Sequence, residues 1–140
     1  MQHQILRVVL LITLAVASTL GTAPRAHEEG EDGCTLVTLK GSWGFLLNGT
    51  IIGVGPIAIE GVVQFDGAGN FARDERAVVN GHVLPPEHIT GTYTVSSDCT
   101  GTMLDSAGRT SEFSIVSNRK ELLSIGTGNG SVVTIVLKKQ

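Results

Sequence analysis

In HITGTYTV, residues 88–95, Ile89, Tyr93 and Val95 are apolar while His88, Thr90, Thr92 and Thr94 are polar. A side-chain period of two belongs to a β-strand with one buried face. The period recurs along the chain. GSWGFLLNG, 41–49, sets Trp43, Phe45 and Leu47 on one face, and PIAIEGVVQF, 56–65, sets Ile57, Ile59, Val63 and Phe65 against Glu60 and Gln64. NFARDERAVV, GTMLD, RTSEFSIV, KELLSIG and SVVTIVLKK extend the count to eight strands. Beyond Cys34 no stretch shows sustained helical spacing of apolar residues.

Turn signals such as Gly-Ala-Gly-Asn, Asp-Ser-Ala-Gly and Gly-Asn-Gly separate the strands. Links this short join antiparallel neighbours, because parallel strands need long crossovers. Eight consecutive strands can close into an up-and-down barrel without exposed edges. The alternative, a two-sheet sandwich, needs long crossing connections, and only NGHVLPPEH, 80–88, resembles one. SVVTIVL is apolar on both faces, which suits a strand that is covered on both sides or seals the barrel against the first strand. An eight-stranded interior is filled by side chains or holds one small ligand.

The first residues are of another kind. Arg7 lies in an otherwise apolar or small run from Ile5 to Leu20, followed by small and then polar residues. This is the order of a secretory signal, with Ala15–Ala17 or positions near Ala23 and Ala26 as cleavage zones. The run falls short of the ~20 apolar residues that span a bilayer, so a cleaved signal is preferred to an anchor, with no stable span left after cleavage. No cysteine follows the run to carry a lipid. The expected organisation is a signal and cleavage region at 1–26, a flexible acidic lead-in at 27–38, and a β-barrel domain at 39–140. The destination is extracytoplasmic, either secreted or periplasmic.

Export bears on Cys34 and Cys99, the two cysteines of the chain. In an oxidising compartment such a pair forms a structural disulfide. A metal or catalytic thiol fits poorly, since neither belongs to a CxxC pair nor has a basic neighbour. Charge narrows the partners. The formal net charge is −3, and Arg7 and Arg25 both precede His27, which leaves −5 from there onward. An acidic chain does not suit nucleic acid or anionic membranes.

CTLVTLKGSWGF carries a Gly-x-Trp motif at its first strand. It resembles the calycin superfamily, in which that Trp plugs one end of an up-and-down barrel. The cadence LKGSWGF, GVVQFDGAGNF, ITGTYTVSSDCTGT is similar to that of uncharacterised secreted bacterial proteins with calycin-like barrels, of lipocalin-, avidin- or allene-oxide-cyclase-like type. The likeness spans nearly all of 34–140. It implies fold and export and no particular activity. No second lipocalin-type motif is present, and Trp43 is the single tryptophan, where an avidin-type biotin site uses several.

Trp43 reads as a core plug or as the floor of a cavity, with Phe45 and Phe65 beside it. ARDERAV, 72–78, places Arg73 and Glu75 on one face and Asp74 and Arg76 on the other. A position at a rim or bulge would leave all four charges solvated. A position inside the barrel would make one pair a polar handle for a ligand, joined by the hydroxyl of Tyr93. His82 and His88 flank Pro85-Pro86 at no metal-ligand spacing. A cut after Ala26 would leave His27 first, able to hold copper by its amine and imidazole, but Pro24 disfavours that cut, and no cofactor is implied. No Gly-x-Ser-x-Gly or phosphate loop occurs. Asp66, Asp98, Asp105 and Glu112 lie in or near turns, where carboxylates serve the turn. Asn48-Gly49-Thr50 and Asn129-Gly130-Ser131 match the glycosylation pattern and read as turn residues.

The leading expectation is a non-enzymatic barrel that binds a small apolar or amphipathic molecule through Trp43, Phe45, Phe65, Arg73, Glu75 and Tyr93. The alternatives are an envelope or extracellular interaction protein with a filled interior, and a cyclase- or isomerase-type barrel enzyme with Glu75 as its proton-transfer group.

Overall fold

The computed structural model describes residues 33–140. The expected signal segment, its cleavage zone, His27 and the acidic stretch before Gly33 lie outside the described residues. A 3-10 turn, Leu36–Leu39, leads into β1 (Gly41–Ile51), β2 (Gly55–Phe65), β3 (Asn70–Val79), β4 (His82–Val83), β5 (Glu87–Val95), β6 (Thr100–Asp105), β7 (Thr110–Val116), β8 (Glu121–Gly126) and β9 (Ser131–Lys139). The eight long strands are those that the alternation delimits.

Every pairing among the described residues is antiparallel. β1 pairs with β2 on one side and with β9 on the other, so the sheet closes as an eight-stranded barrel. β9 thus seals the barrel. Its outer face is not fully covered, since Val132 is 69% exposed. The segment expected as a possible sheet crossing instead holds β4, a two-residue strand that folds back onto β3. Asn129 lies in the β8–β9 loop, whereas Asn48 stands on the outer face of β1 and not in a turn.

Inside, large rings lie over glycines. Cross-strand partners Phe45 and Gly61, Phe71 and Gly91, and Phe113 and Gly101 pair an aromatic with a residue that has no side chain. A strongly curved barrel cannot hold two large side chains at every pair, and this arrangement fills the interior while the strand bends at the glycine. A Cβ on Gly91 would meet the Leu104 carbonyl oxygen and lie 2.5 Å from Phe71 Cζ. Gly91→Ala is therefore expected to cost about 1–3 kcal/mol, the range for overpacking. Urea denaturation measures this, and an unchanged midpoint would show that both the ring and the Leu104 carbonyl give way freely.

One end of the barrel is shut. Trp43, Leu39 and Leu122 are fully buried there. Trp43 Nε1 donates to the Leu39 carbonyl at 2.7 Å, so the 3-10 turn is pinned across the opening. Phe65 meets Trp43 and Tyr93 edge-on, at centroid distances of 6.2 and 5.0 Å. The Tyr93 hydroxyl donates to the Leu36 carbonyl at 3.0 Å, and burial pushes its phenol pKa up, which keeps it a donor. The Cys34–Cys99 disulfide, with Cα atoms 4.8 Å apart, fixes this cap to the β5–β6 turn. Cys99 has a φ of 65°, the left-handed region that side chains other than glycine avoid. Its N–H donates to Ser96 O and its carbonyl accepts from Ile115 N–H, so backbone hydrogen bonds and the disulfide hold that conformation together. A cysteine sits in this turn because the turn is where the chain before β1 crosses the barrel floor.

Candidate functional site

Antiparallel order sends alternate connections to opposite ends. The loops 52–54, 80–86, 106–109 and 127–130 therefore gather at the end away from the disulfide. A cavity of about 410 Å³ opens there. It lies within the roughly 300–1,000 Å³ typical of small-molecule sites.

The cavity walls divide by strand. β1, β2 and β9 contribute mainly apolar side chains, among them Leu47, Ile51, Ile57, Ile59, Val133 and Ile135, with Ser131 at the start of β9 the polar exception. β3, β6 and β7, with the β6–β7 turn, contribute Arg73, Glu75, Asp105, Arg109, Thr110 and Ser111. One half of the cavity is thus hydrocarbon and the other is ionic, with Met103 set among the charges.

The alternation of β3 turns Arg73 and Glu75 inward and leaves Asp74 and Arg76 outside. The solvated rim or bulge expected as one reading of ARDERAV does not occur, since Glu75 is only 4% exposed. Its charge is tolerated because it is paired. Arg73 Nε donates to Glu75 Oε2 at 2.5 Å, and Arg73 Nη2 donates to Asp105 Oδ2 at 3.0 Å. Arg109 Nε reaches the same Asp105 oxygen at 2.7 Å, and its Nη2 lies 3.7 Å from Glu75 Oε1. The Arg73 guanidinium lies 5.8 and 5.9 Å from the ring centroids of Phe45 and Phe71, in cation–π range. Outside, Asp74 meets His88 Nδ1 at 2.7 Å and Arg76 meets Glu60 at 3.6 Å, both at exposed positions.

Asp105 is held by its turn. Its Oδ1 accepts from the backbone N–H groups of Ala107 and Arg109 at 3.0 Å each. Asp66 builds the same turn at the closed end, accepting from Ala68 N–H and Asn70 N–H, with Asn70 where the other turn has Arg109. The sequences DGAGN and DSAGR are therefore one structural device used twice. At Asp66 it is exposed. At Asp105 it faces the lumen. Burial works to raise the Asp105 carboxyl pKa, but the Arg109 hydrogen bonds and the charges of Arg109 and Arg73 hold it below the usual carboxylate range.

Of the residues singled out from sequence, Phe45, Arg73 and Glu75 line the cavity. Trp43, Phe65 and Tyr93 belong to the floor at the closed end and do not line it. Asp105 and Arg109 complete the ionic wall, although sequence reading gave Asp105 only a turn role. The signal was present: Gly101, Met103 and Asp105 share one face of β6, and that face is the inner one. His82 stands exposed on β4, and among the described residues no group of three or more His, Cys, Asp or Glu could hold a metal ion.

No family model matches the chain, and no curated protein matches it. Solved structures do. A redesigned beta barrel superposes with a TM-score of 0.54 at 16% identity, covering 76% of this chain and 95% of its own. A de novo designed fluorescence-activating beta barrel gives 0.51 at 14% identity, covering 76% and 99%. The barrel EF1p2_mFAP2b bound to DFHBI gives 0.51 at 13% identity, covering 74% and 94%. At these identities the likeness is one of fold: this chain shares the closed antiparallel barrel of those proteins.

Proposed function

We propose that this chain is a non-enzymatic carrier that holds a small apolar or amphipathic molecule in the open half of its barrel. The unfilled, half-apolar cavity of about 410 Å³ carries the reading. A barrel that served only as a scaffold would gain stability by filling such a space, because voids forfeit packing contacts. A ligand would lay its apolar body on β1, β2 and β9 and turn its polar edge to Arg73, Glu75 and Arg109. A barrel of the same architecture holds DFHBI, which illustrates the size of guest that this fold accepts. The Cys34–Cys99 pair supports an extracytoplasmic site of action, as does the signal-like start of the chain. The Trp43 plug under a Gly-x-Trp motif supports kinship with the calycin barrels.

The test uses N-phenyl-1-naphthylamine, a neutral apolar fluorophore, added to the full chain with its disulfide intact. Binding is expected with enhanced emission. Met103→Trp, which sets a bulky ring in the cavity, should weaken it by about tenfold or more, the equivalent of ~1.4 kcal/mol. Unchanged affinity in the variant would place the dye elsewhere and remove the carrier reading.

A further inference from the structure

Among the carboxylate oxygens of the ionic wall, one lacks a hydrogen-bond donor, and that gap has a definite chemistry. Asp105 is saturated: Oδ1 accepts two backbone N–H groups, and Oδ2 accepts Arg73 Nη2 and Arg109 Nε. Glu75 is not. Its Oε2 accepts Arg73 Nε, but the charged neighbour of Oε1 is Arg109 Nη2 at 3.7 Å, too long for a hydrogen bond. Glu75 is 4% exposed and lines the cavity. A carboxylate oxygen there has lone pairs to fill, and a guest that expels water must supply the missing donor or leave a buried acceptor unsatisfied.

The charge of the guest is limited as well. Two guanidiniums face two carboxylates, so the wall is neutral as it stands. A charged guest would add an uncompensated charge to the wall as it expels water, and an anion would also meet Glu75. A hydroxyl group fits without that cost. Its oxygen can sit to one side of the Glu75 Oε1–Arg109 Nη2 pair, which is 3.7 Å apart, within hydrogen-bond reach of both, donating to the first and accepting from the second.

We propose, resting on the carrier reading above, that the natural ligand is a neutral apolar molecule bearing a hydroxyl group that bridges Glu75 Oε1 and Arg109 Nη2. The opposite wall, formed by Leu47, Ile57, Ile59 and Val133, takes the hydrocarbon part. The hydroxyl is the specificity element, because the apolar wall alone discriminates poorly among hydrocarbons of similar size, whereas a buried acceptor rejects a guest that cannot donate to it.

The experiment compares four probes of one shape, 2-naphthol, 2-methoxynaphthalene, 2-methylnaphthalene and 2-naphthoate, by calorimetric titration of the full chain at neutral pH. The naphthol is expected to bind about tenfold or more tighter than the other three. The methoxy compound keeps the oxygen and lacks the donor, so its comparison with the naphthol tests the hydrogen bond in the unaltered protein. Glu75→Gln, where it folds, should reduce the naphthol preference to within about threefold. Equal binding of all four probes with loss of all four in Met103→Trp would overturn the hydroxyl proposal and leave the carrier reading standing. Tightest binding of the naphthoate would overturn it too. Absence of binding by all four probes would overturn this proposal, and absence of binding by N-phenyl-1-naphthylamine as well, or binding indifferent to Met103→Trp, would remove the carrier reading with it.

Discussion

Reducing the Cys34–Cys99 disulfide is expected to lower the stability of the barrel by about 4 kcal/mol, the chain-entropy value for a loop of this length. The bond closes a sequence separation of 65 residues. It also does local work that the loop term does not count. The segment before β1 is held to the β5–β6 turn by one backbone hydrogen bond, Cys34 N–H to Ser97 O at 3.2 Å. Leu36 and Leu39, which receive the Tyr93 and Trp43 hydrogen bonds, follow directly. Freed from Cys99, the segment can lift and expose the floor of the core. For a domain of this size, 4 kcal/mol corresponds to a fall in melting temperature of roughly 15–25 °C, a large part of a stability of about 5–15 kcal/mol. Thermal unfolding with and without a thiol reductant measures it. Coincident curves for verified oxidised and reduced protein would show that the cap stays in place without the bond. The left-handed backbone of Cys99 adds a finer expectation. The Cys34→Ala/Cys99→Gly variant should be more stable than Cys34→Ala/Cys99→Ala by about 1 kcal/mol, because only the second keeps a Cβ at a positive φ.

The closed barrel was legible because period-two alternation survives in most of the long strands, and because all but one of the connections are too short for a crossover. What alternation supplies is a face. It does not supply a height along the barrel axis. Tyr93 and Glu75 both point inward, yet Tyr93 lies at the floor beside Phe65 while Glu75 lines the cavity. A ligand set drawn from alternation alone, with Trp43, Phe65 and Tyr93 beside Phe45, Arg73 and Glu75, mixes the two levels for that reason. ARDERAV defeated even the choice of face, because both of its faces are charged and the period carries no contrast. The answer came from β2 and β5, whose pairing with β3 sets its phase. Asp105 was hidden differently. A carboxylate two residues before Ala107 and four before Arg109 is explained by its turn alone, and the face it shares with Gly101 and Met103 gives its direction without naming Arg73, 32 residues back, as its partner.

Asp105→Asn separates those two duties. The Asn side-chain oxygen can still accept from Ala107 and Arg109 N–H, so the turn survives. The new amide group then presents N–H donors to Arg73 Nη2 and Arg109 Nε, which are donors themselves. Arg73 keeps Glu75 as its charged partner, but the wall changes from neutral to net positive. Breaking a buried pair by removing one partner costs about 3–5 kcal/mol, and the lower end applies because the Arg109 side chain is 48% exposed and partly screened by water. Asp66→Asn serves as the control, since it alters the same turn where no guanidinium is attached. The variants should also part company in acid. The Asp105 carboxyl pKa is lowered in the folded barrel, so its ionised form adds stability above the ordinary carboxylate pKa of about 3.9. That stability is lost as the pH falls from there through the lower folded value. The parent protein should therefore lose its advantage over Asp105→Asn as the pH drops below about 4, and the urea midpoints of the two should converge. An Asp105→Asn midpoint equal to that of Asp66→Asn at neutral pH would mean that the carboxylate serves its turn and nothing more.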